Sequence, residues 1–397
     1  MKAMKAAILL LLGLLYSSLT MASFNQYTDA EVRLMQQIYQ QGNTNFSFKE
    51  VRKRLFENQF LLSQAEQLMP ELVVRQAAVG FSTQYHVERY LMTIFDSVQN
   101  SPTRRIKELN FTLYNSQWLI QALPNYPADG RYNAAQIAKM QATDLRSLFA
   151  KPMDLYEFIA PLSMQVRFRL HQGDSDLFKA EVIKKLQFEA ALLNATPLLV
   201  KQGINLTHLE ELAKGEILRP SIQSWLGVKN MMHVQSPLLE NLEQQVSEQQ
   251  INTYYQANKA RFKYLSEVTA QGVMFTQRDQ AVRFRNAALS SSFADALTRS
   301  QQQDIYAQYH NRLTRKNNSN WAVQLAFTQQ AGELSPVIRS PEGLWVVIIS
   351  NAQQYSYFTV YDETVRYQAK KAIAIHQAQQ RYQQSWQNWQ QQHAVNL

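Results

Sequence analysis

The 397-residue sequence contains no cysteine, and glycine and proline are scarce, with eleven residues of each. Without cysteine there are no disulfides and no thiolate chemistry, and a structural zinc site is disfavoured. No two glycines lie within ten positions of each other, which excludes the dinucleotide fingerprint and the phosphate-binding loop. The motifs H-E-x-x-H and G-x-S-x-G are also missing. We therefore expect no metal and no cofactor.

Long apolar runs are missing beyond the N-terminus, so we expect no stable membrane insertion. The N-terminus itself carries Lys2 and Lys5, an apolar run over residues 6–15, and the small residues Thr20 and Ala22. This order is typical of a cleavable signal peptide. It predicts a signal peptide over residues 1–22, cleavage after Ala22, and export to a Gram-negative periplasm or its equivalent.

Lysine and arginine outnumber the acidic residues and give a formal net charge of +9. Such a chain can bind nucleic acid, anionic lipid or acidic polypeptide. The basic residues are scattered, however, apart from short pairs such as Lys184-Lys185 and Lys370-Lys371. An exported protein also meets little nucleic acid, so we expect a solvated basic surface and no nucleic-acid partner.

Apolar residues at helical spacing dominate the first part of the mature chain. Residues 29–68 are predicted to form two helices separated by a turn at Gly42. Further helical segments are predicted over residues 72–98, 133–149, 176–194 and 207–214, with breaks at Ser101-Pro102, residues 124–130 and residues 173–174. The pattern predicts one helical module over residues 23–245.

Residues 246–350 follow a different pattern. Ser247 and Gln250 have capping-box spacing, and Ile251, Tyr254, Tyr255 and Phe262 follow at helical spacing. Residues 332–349 contain two turns, a short strand and an apolar strand, which predicts a hairpin. The segment resembles the parvulin-type domain, and the helix leading into it, of exported foldases of the SurA and PrsA type. The resemblance places the first strand at residues 267–275 and helices at 280–286, 292–297 and 324–330.

The resemblance implies an α+β protein in which a mostly helical chaperone-like module accompanies a parvulin-like domain with a small antiparallel sheet. It implies a connecting helix over residues 246–263, the parvulin-like domain over 264–352, and a C-terminal helix within 353–397 that packs on the helical module. Tyr382, Trp386, Trp389 and His393 lie on one face of that last helix, which is typical of a core-facing stripe.

The family's chemistry is not matched by the corresponding residues. Parvulins place one histidine on the first strand and one on the last, beside a proline pocket lined by Met and Phe. Counting along the motifs puts the histidine positions at Gln271 or Gly272 and at Trp345. It puts the pocket positions at Asn318 and Ala322, with Asp304 as a stand-in for the family's acidic member.

We therefore predict no catalytic residue in this chain. Met274, Trp321 and Trp345 remain as an apolar and aromatic surface for binding polypeptide. Phe327 and the apolar strand over residues 344–349 are predicted to be structural, with Phe327 buried.

The function implied is a chaperone that binds unfolded or nascent exported polypeptides, its parvulin-like domain having lost catalysis. Two alternatives stay open: an active peptidyl-prolyl cis-trans isomerase, and an accessory protein dedicated to the secretion or assembly of one partner. The sequence names no client and no oligomeric state.

Overall fold

The computed structural model describes residues 26–99, 109–149, 151–229, 236–315 and 320–395. The predicted signal peptide, the Ser101-Pro102 break and Asn318 lie outside these residues. The described chain divides into two compact units. The first comprises the residues up to Asn241 together with those from Ile375, and the second runs from Leu242 to Ala374. The predicted α+β class is confirmed.

The first unit is helical. Its helices, in chain order, are α1 (Asp29–Gln41), α2 (Phe48–Leu68), α3 (Pro70–Val74), α4 (Thr83–Val98), α5 (Ser116–Ala122), α6 (Ala134–Gln141), α7 (Leu155–Ile159), α8 (Met164–His171), α9 (Ser175–Lys201), α10 (Leu206–Trp225) and α11 (Pro237–Gln245), whose last residues belong to the second unit. Among the described residues, no helix is long and apolar enough to cross a membrane.

Side-chain caps fix where several of these helices begin. Ser47 accepts a hydrogen bond from the backbone of Glu50, and the Glu50 carboxylate accepts one from the backbone of Ser47. Asp174 caps α9 by accepting from Leu177 N. These bonds satisfy backbone N–H groups that have no partner inside the helix. The turn predicted at Gly42 does separate α1 from α2.

Two predicted helices are shorter than their patterns suggested. Residues 72–98 break between α3 and α4, because the Arg75 guanidinium donates to Ala160 O at 2.6 Å and Ser82 N donates to Pro161 O at 2.8 Å. Residues 133–149 leave the helix after Gln141, since Leu145 N bonds to Met153 O at 2.9 Å instead of an intrahelical carbonyl. In both places tertiary hydrogen bonds replace helical ones.

The aromatic stripe of the last helix, α16 (Glu363–Gln392), is buried in the first unit. The rings of Tyr382, Trp386 and Trp389 surround Phe60 of α2 at centroid distances of 5.6, 5.4 and 6.1 Å. The Tyr382 hydroxyl also donates to Glu57. These contacts join the two chain ends in one apolar core, as the helical spacing predicted.

The second unit holds the sheet. Helix α12 (Glu248–Asn258) begins at the predicted Ser247–Gln250 capping box and is followed by a 3₁₀ turn, Lys259–Phe262. The remaining elements before α16 are β1 (Lys263–Phe275), α13 (Arg278–Ser290), α14 (Phe293–Ser300), β2 (Arg312–Thr314), α15 (Trp321–Thr328), β3 (Ile338–Arg339) and β4 (Trp345–Tyr357).

The four strands form an antiparallel sheet in the order β2-β1-β4-β3. Strand β1 is longer than predicted and begins at Lys263, because Lys263 pairs with Tyr357 at the far end of β4. Near the other end Gly272 pairs with Ile348, and Phe275 pairs with Trp345. This register decides which side chains share a face of the sheet.

Both faces of the sheet are covered by apolar clusters. We name them by one residue each. The Tyr306 face comprises Val268, Ala270, Met274, Tyr306, Leu313, Trp321, Ala322, Val323, Ala326, Val346 and Ile348. The Trp345 face comprises Val273, Phe275, Ala281, Phe284, Phe293, Leu334, Val337, Trp345, Val347 and Ile349. Val346, Val347 and Ile348 are fully buried, which confirms the predicted structural role of this strand.

The prediction that Phe327 is buried is wrong. The positions of α15 that are buried are Ala322, Val323 and Ala326, whereas Phe327 is half-buried near the end of the helix. The guanidinium of Arg315 lies over its ring at 4.5 Å from the centroid. Phe327 therefore closes the edge of the Tyr306 face rather than filling its centre.

Candidate functional site

The three predicted binding residues do not form one surface. Met274 and Trp321 are half-buried and pack on the Tyr306 face. Trp345 packs on the Trp345 face, opposite Phe275. Successive residues of a strand point to opposite faces, and Met274 precedes Phe275. A groove that uses Met274 and Trp321 thus lies across the sheet from Trp345.

The predicted first-strand histidine position has no space for a side chain. A Cβ atom on Gly272 would lie 2.8 Å from Ile348 Cγ2, 2.9 Å from Tyr306 Cε2 and 3.0 Å from Ile305 Cδ1. A side chain at this position would therefore have to push Ile348, Tyr306 and Ile305 aside. Gln271, the alternative position, is half-buried and pairs with Ile349 on the Trp345 face.

Tyr306 fills the space beside Gly272. Its side chain is 1% exposed and is the largest fully buried side chain among the described residues. Its hydroxyl donates to the backbone carbonyl of Ala322, one of the two predicted proline-pocket positions. Burial, followed by the nearby Asp304 carboxylate, raises the pKa of the Tyr306 hydroxyl, so it stays protonated as a donor. The sequence analysis missed Tyr306, since the loop that carries it has no recognisable pattern.

Asp304, the predicted stand-in for the acidic group, organises this loop instead. Its Oδ1 accepts hydrogen bonds from the backbone N–H groups of Gly272 and Tyr306, both at 3.0 Å. Its Oδ2 accepts from Asn311 Nδ2 at 2.6 Å. Both oxygens are committed, and the bonds lock the loop and Tyr306 against β1.

The second histidine position, Trp345, lies three residue pairs from Gly272 along the sheet and on the opposite face. Gly272 and Trp345 therefore do not face each other, whereas Gln271, the alternative first-strand position, lies on the same face as Trp345. The sequence between Leu242 and Ala374 contains one histidine, His310, and its side chain is exposed at the end of a 3₁₀ turn. No imidazole lies against the sheet in the described part of this unit.

Two guanidinium groups lie close to the Trp345 ring. The Cζ atom of Arg278, at the start of α13, lies 5.8 Å from the ring centroid. The Cζ atom of Arg339, its partner on β3, lies 5.9 Å from that centroid. Trp345 is half-buried and both arginines are exposed. This arrangement presents two cations beside one aromatic ring.

A cavity of about 350 Å³ lies in the first unit between α4, α7 and α9. Apolar side chains line its interior: Tyr85, Met92, Met153, Phe158, Leu162 and Phe188. Charges of both signs surround it, including the ion pairs Lys184–Glu181 and Lys185–Glu88, each at 2.6 Å. The cavity has room for one or two apolar side chains of a ligand.

The family model of the PPIC-type PPIase domain matches residues 246–364. No curated protein matches the chain significantly. Among solved structures, the chain is similar to the peptidyl-prolyl isomerase PrsA of Bacillus anthracis, at 12% identity and a TM-score of 0.21 over 56% of this chain and 88% of that one.

Two further structures are similar. A SurA-like chaperone of Campylobacter jejuni, from a study of PEB4 and Cj1289, matches at 12% identity and a TM-score of 0.25, over 70% of this chain and 99% of that one. The foldase PrsA of Streptococcus pneumoniae matches at 14% identity and a TM-score of 0.22, over 51% of this chain and 70% of that one.

The family match decides the class of the second unit. Residues 246–364 form a parvulin-type domain, as the resemblance predicted. The domain carries the parvulin elements in order, from the capped helix α12 through the hairpin of β3 and β4.

Proposed function

We propose that the chain is an exported chaperone that holds unfolded or nascent polypeptides, and that its parvulin-type domain does not isomerise proline. The observation that carries this proposal is the Tyr306 ring packed beside Gly272, one of the two positions (with Gln271) that the resemblance assigns to the first histidine. The family match supports a role in protein folding, and the cavity of the first unit supports the binding of client side chains.

Proline isomerisation depends on stabilising a twisted amide in the transition state. Rotation about a peptide bond crosses a barrier of about 20 kcal/mol, and an enzyme lowers it only by binding the twisted amide more tightly than the planar one. The Tyr306 hydroxyl is committed to Ala322 O, and both Asp304 oxygens are occupied. These two groups are therefore not free to respond to a twisting amide.

The cavity in the first unit offers an apolar surface for client side chains. Met92, Met153 and Phe188 are half-buried there, so their apolar surface stays accessible. Methionine adapts its shape to different partners, which suits a site that accepts many sequences. The positive and negative side chains around the cavity largely balance each other. The cavity therefore favours no particular charge in a client and can accept many sequences.

Export is supported by the sequence alone. Lys2, Lys5 and the apolar run that follows them precede the small residues Thr20 and Ala22, in signal-peptide order. N-terminal sequencing of protein recovered from the exported fraction should give Ser23 as the first residue. An intact Met1 in a membrane pellet contradicts this part of the proposal.

Isomerase activity is tested on the whole mature chain with a protease-coupled assay and a proline tetrapeptide. We expect the rate of cis-to-trans conversion to equal the uncatalysed rate at every protein concentration. A rate that rises linearly with protein concentration identifies an active isomerase instead.

Holding activity is tested by light scattering from a heat-aggregating test protein. The chain should suppress aggregation at near-equimolar ratios, and the variant Met92→Gln with Met153→Gln should suppress it several-fold less, because polar side chains weaken apolar contacts. Leu193→Gln is the matched control: Leu193 is a 74% exposed apolar residue of α9 outside the cavity. Equal suppression by both variants places client binding elsewhere.

A third experiment separates a general chaperone from a dedicated accessory protein. Crosslinking in the exported fraction, followed by pull-down and mass spectrometry, should recover many unrelated exported proteins. Recovery of one partner at near-stoichiometric yield favours the accessory protein.

A further inference from the structure

The Trp345 face contains a pair of arginines whose charges are not balanced by carboxylates. Arg339 and Trp345 are direct neighbours across β3 and β4, and Trp345 pairs on its other side with Phe275. Arg278 reaches the same indole from α13. Strand register and helix position together bring two like charges to one ring.

Neither guanidinium has a hydrogen-bond or ion-pair partner among the described residues. Two carboxylates follow closely in sequence, Asp279 after Arg278 and Glu342 after Arg339. Both are exposed, and neither forms an ion pair with these arginines. By contrast, Arg312 on β2 binds Glu267 through two hydrogen bonds of 2.8 Å. The unit therefore pairs arginine with carboxylate elsewhere, but not beside Trp345.

Stacking on an aromatic ring leaves a guanidinium able to bind an anion. The N–H groups point outward in the plane of the group, and a ring below it does not compete for them. A carboxylate accepts two such N–H groups in parallel. An anion beside both arginines would also relieve their mutual repulsion. In an unfolded polypeptide the available anions are Asp and Glu side chains and the C-terminal carboxylate.

We propose that Arg278 and Arg339, held on Trp345, form a binding site for a carboxylate of a client polypeptide. The indole supplies an apolar surface for the residue that carries or adjoins the carboxylate. This inference rests on the proposed chaperone function, since it takes polypeptide as the ligand. It adds an acidic preference in the parvulin-type domain to the unselective apolar binding proposed for the helical unit.

The experiment uses the whole mature chain and a rhodamine-labelled hexapeptide of Gly, Ser and Tyr, with binding followed by anisotropy at low salt. Three forms are compared: a C-terminal amide, a free C-terminal carboxylate, and an amide with one internal Asp. We expect at least one carboxylate form to bind about tenfold more tightly than the neutral form, the size of effect a charge-assisted bidentate contact gives. The preference should fall as salt is added.

The double variant Arg278→Gln with Arg339→Gln should abolish the preference. Arg283→Gln is the matched control, since Arg283 is an exposed arginine of the same helix that does not contact Trp345. Equal affinity for all three peptides, no binding of any of them, or a preference that survives in the double variant overturns the inference.

Aggregation suppression by the same proteins separates this result from the chaperone proposal. If the wild-type chain holds the test protein but shows no carboxylate preference, the inference is wrong and the proposed function stands. If it does not suppress aggregation, the proposed function is wrong whatever the peptides show.

Discussion

The two faces of the parvulin-type sheet share the same strands but differ in how far their apolar layers are closed off from solvent. On the Tyr306 face a buried tyrosine packs against Gly272, and its loop is fixed by Asp304. On the Trp345 face the apolar layer ends at a half-buried tryptophan with two exposed arginines. The same scaffold thus supports a closed core on one side and an accessible, cationic surface on the other.

This difference shows how a parvulin-type fold can persist without the family's histidines. The strands depend on Val346, Val347 and Ile348, which are buried between the two layers. At the counted histidine positions, Gly272 pairs with Ile348 and leaves room for Tyr306, and Trp345 packs on its own face. A tyrosine on one face and an indole on the other can therefore replace the imidazoles while the sheet is retained.

The largest effect is expected for Tyr306→Ala. Emptying a fully buried aromatic site should lower the free energy of unfolding of the second unit by about 3–5 kcal/mol. Tyr306→Phe is the matched control and should cost only about 1 kcal/mol, because it removes one hydrogen bond and leaves the ring in place. Denaturant titration followed by circular dichroism measures both. Equal losses for the two variants would show that the hydroxyl, not the ring, stabilises this face.

Restoring a histidine at the first-strand position should also destabilise the protein. Gly272→His forces a side chain against Ile348, Tyr306 and Ile305, and overpacking of this kind costs about 1–3 kcal/mol. We expect no gain of isomerase activity in the protease-coupled assay. Gly80→Ala is the control, because the nearest atom to an added Cβ is Ala77 O at an acceptable 3.4 Å. A stable, active Gly272→His variant would mean that the Tyr306 face opens readily.

Phe327→Ala tests the edge of the Tyr306 face. Because Phe327 is half-buried, its removal should cost about 1–2 kcal/mol, less than the loss at a fully buried aromatic site. Urea midpoints for Phe327→Ala and Tyr306→Ala, measured side by side, give the comparison. A loss at Phe327 as large as that at Tyr306 contradicts the placement of its ring.

The smallest effect on stability is expected on the Trp345 face. Arg278→Gln and Arg339→Gln alter exposed side chains without ion pairs, so each should change the free energy of unfolding by less than about 0.5 kcal/mol. The thermal midpoint of each variant, compared with that of Arg283→Gln, checks this. A marked loss would assign these arginines a structural role on the tryptophan instead of a role in binding.

Much of the fold follows from patterns that are local in sequence. Helical spacing and the caps at Ser47 and Ser247 set where helices begin, and the four-three spacing of Tyr382, Trp386 and Trp389 set which face of α16 is buried. The continuous apolar stretch in β4 places apolar side chains on both faces of the sheet, so both faces must pack against other elements. Such features are predictable because a period of 3.6 or 2 residues fixes which side chains share a face.

The candidate site depended on contacts between residues distant in sequence. Sequence motifs left Gln271 and Gly272 open as the counterpart of Trp345, and the register of β1 against β4 puts Gly272 on the opposite face and Gln271 on the same face. Tyr306 reaches Gly272 because Asp304 and the backbone hydrogen bond from Ile305 N to Gly272 O hold the loop against β1. Arg278 and Arg339 are 61 positions apart and meet at Trp345 through strand pairing and the placement of α13. Sequence periodicity decided which elements form, whereas register and loop hydrogen bonds decided which side chains meet, because only the folded sheet fixes those distances.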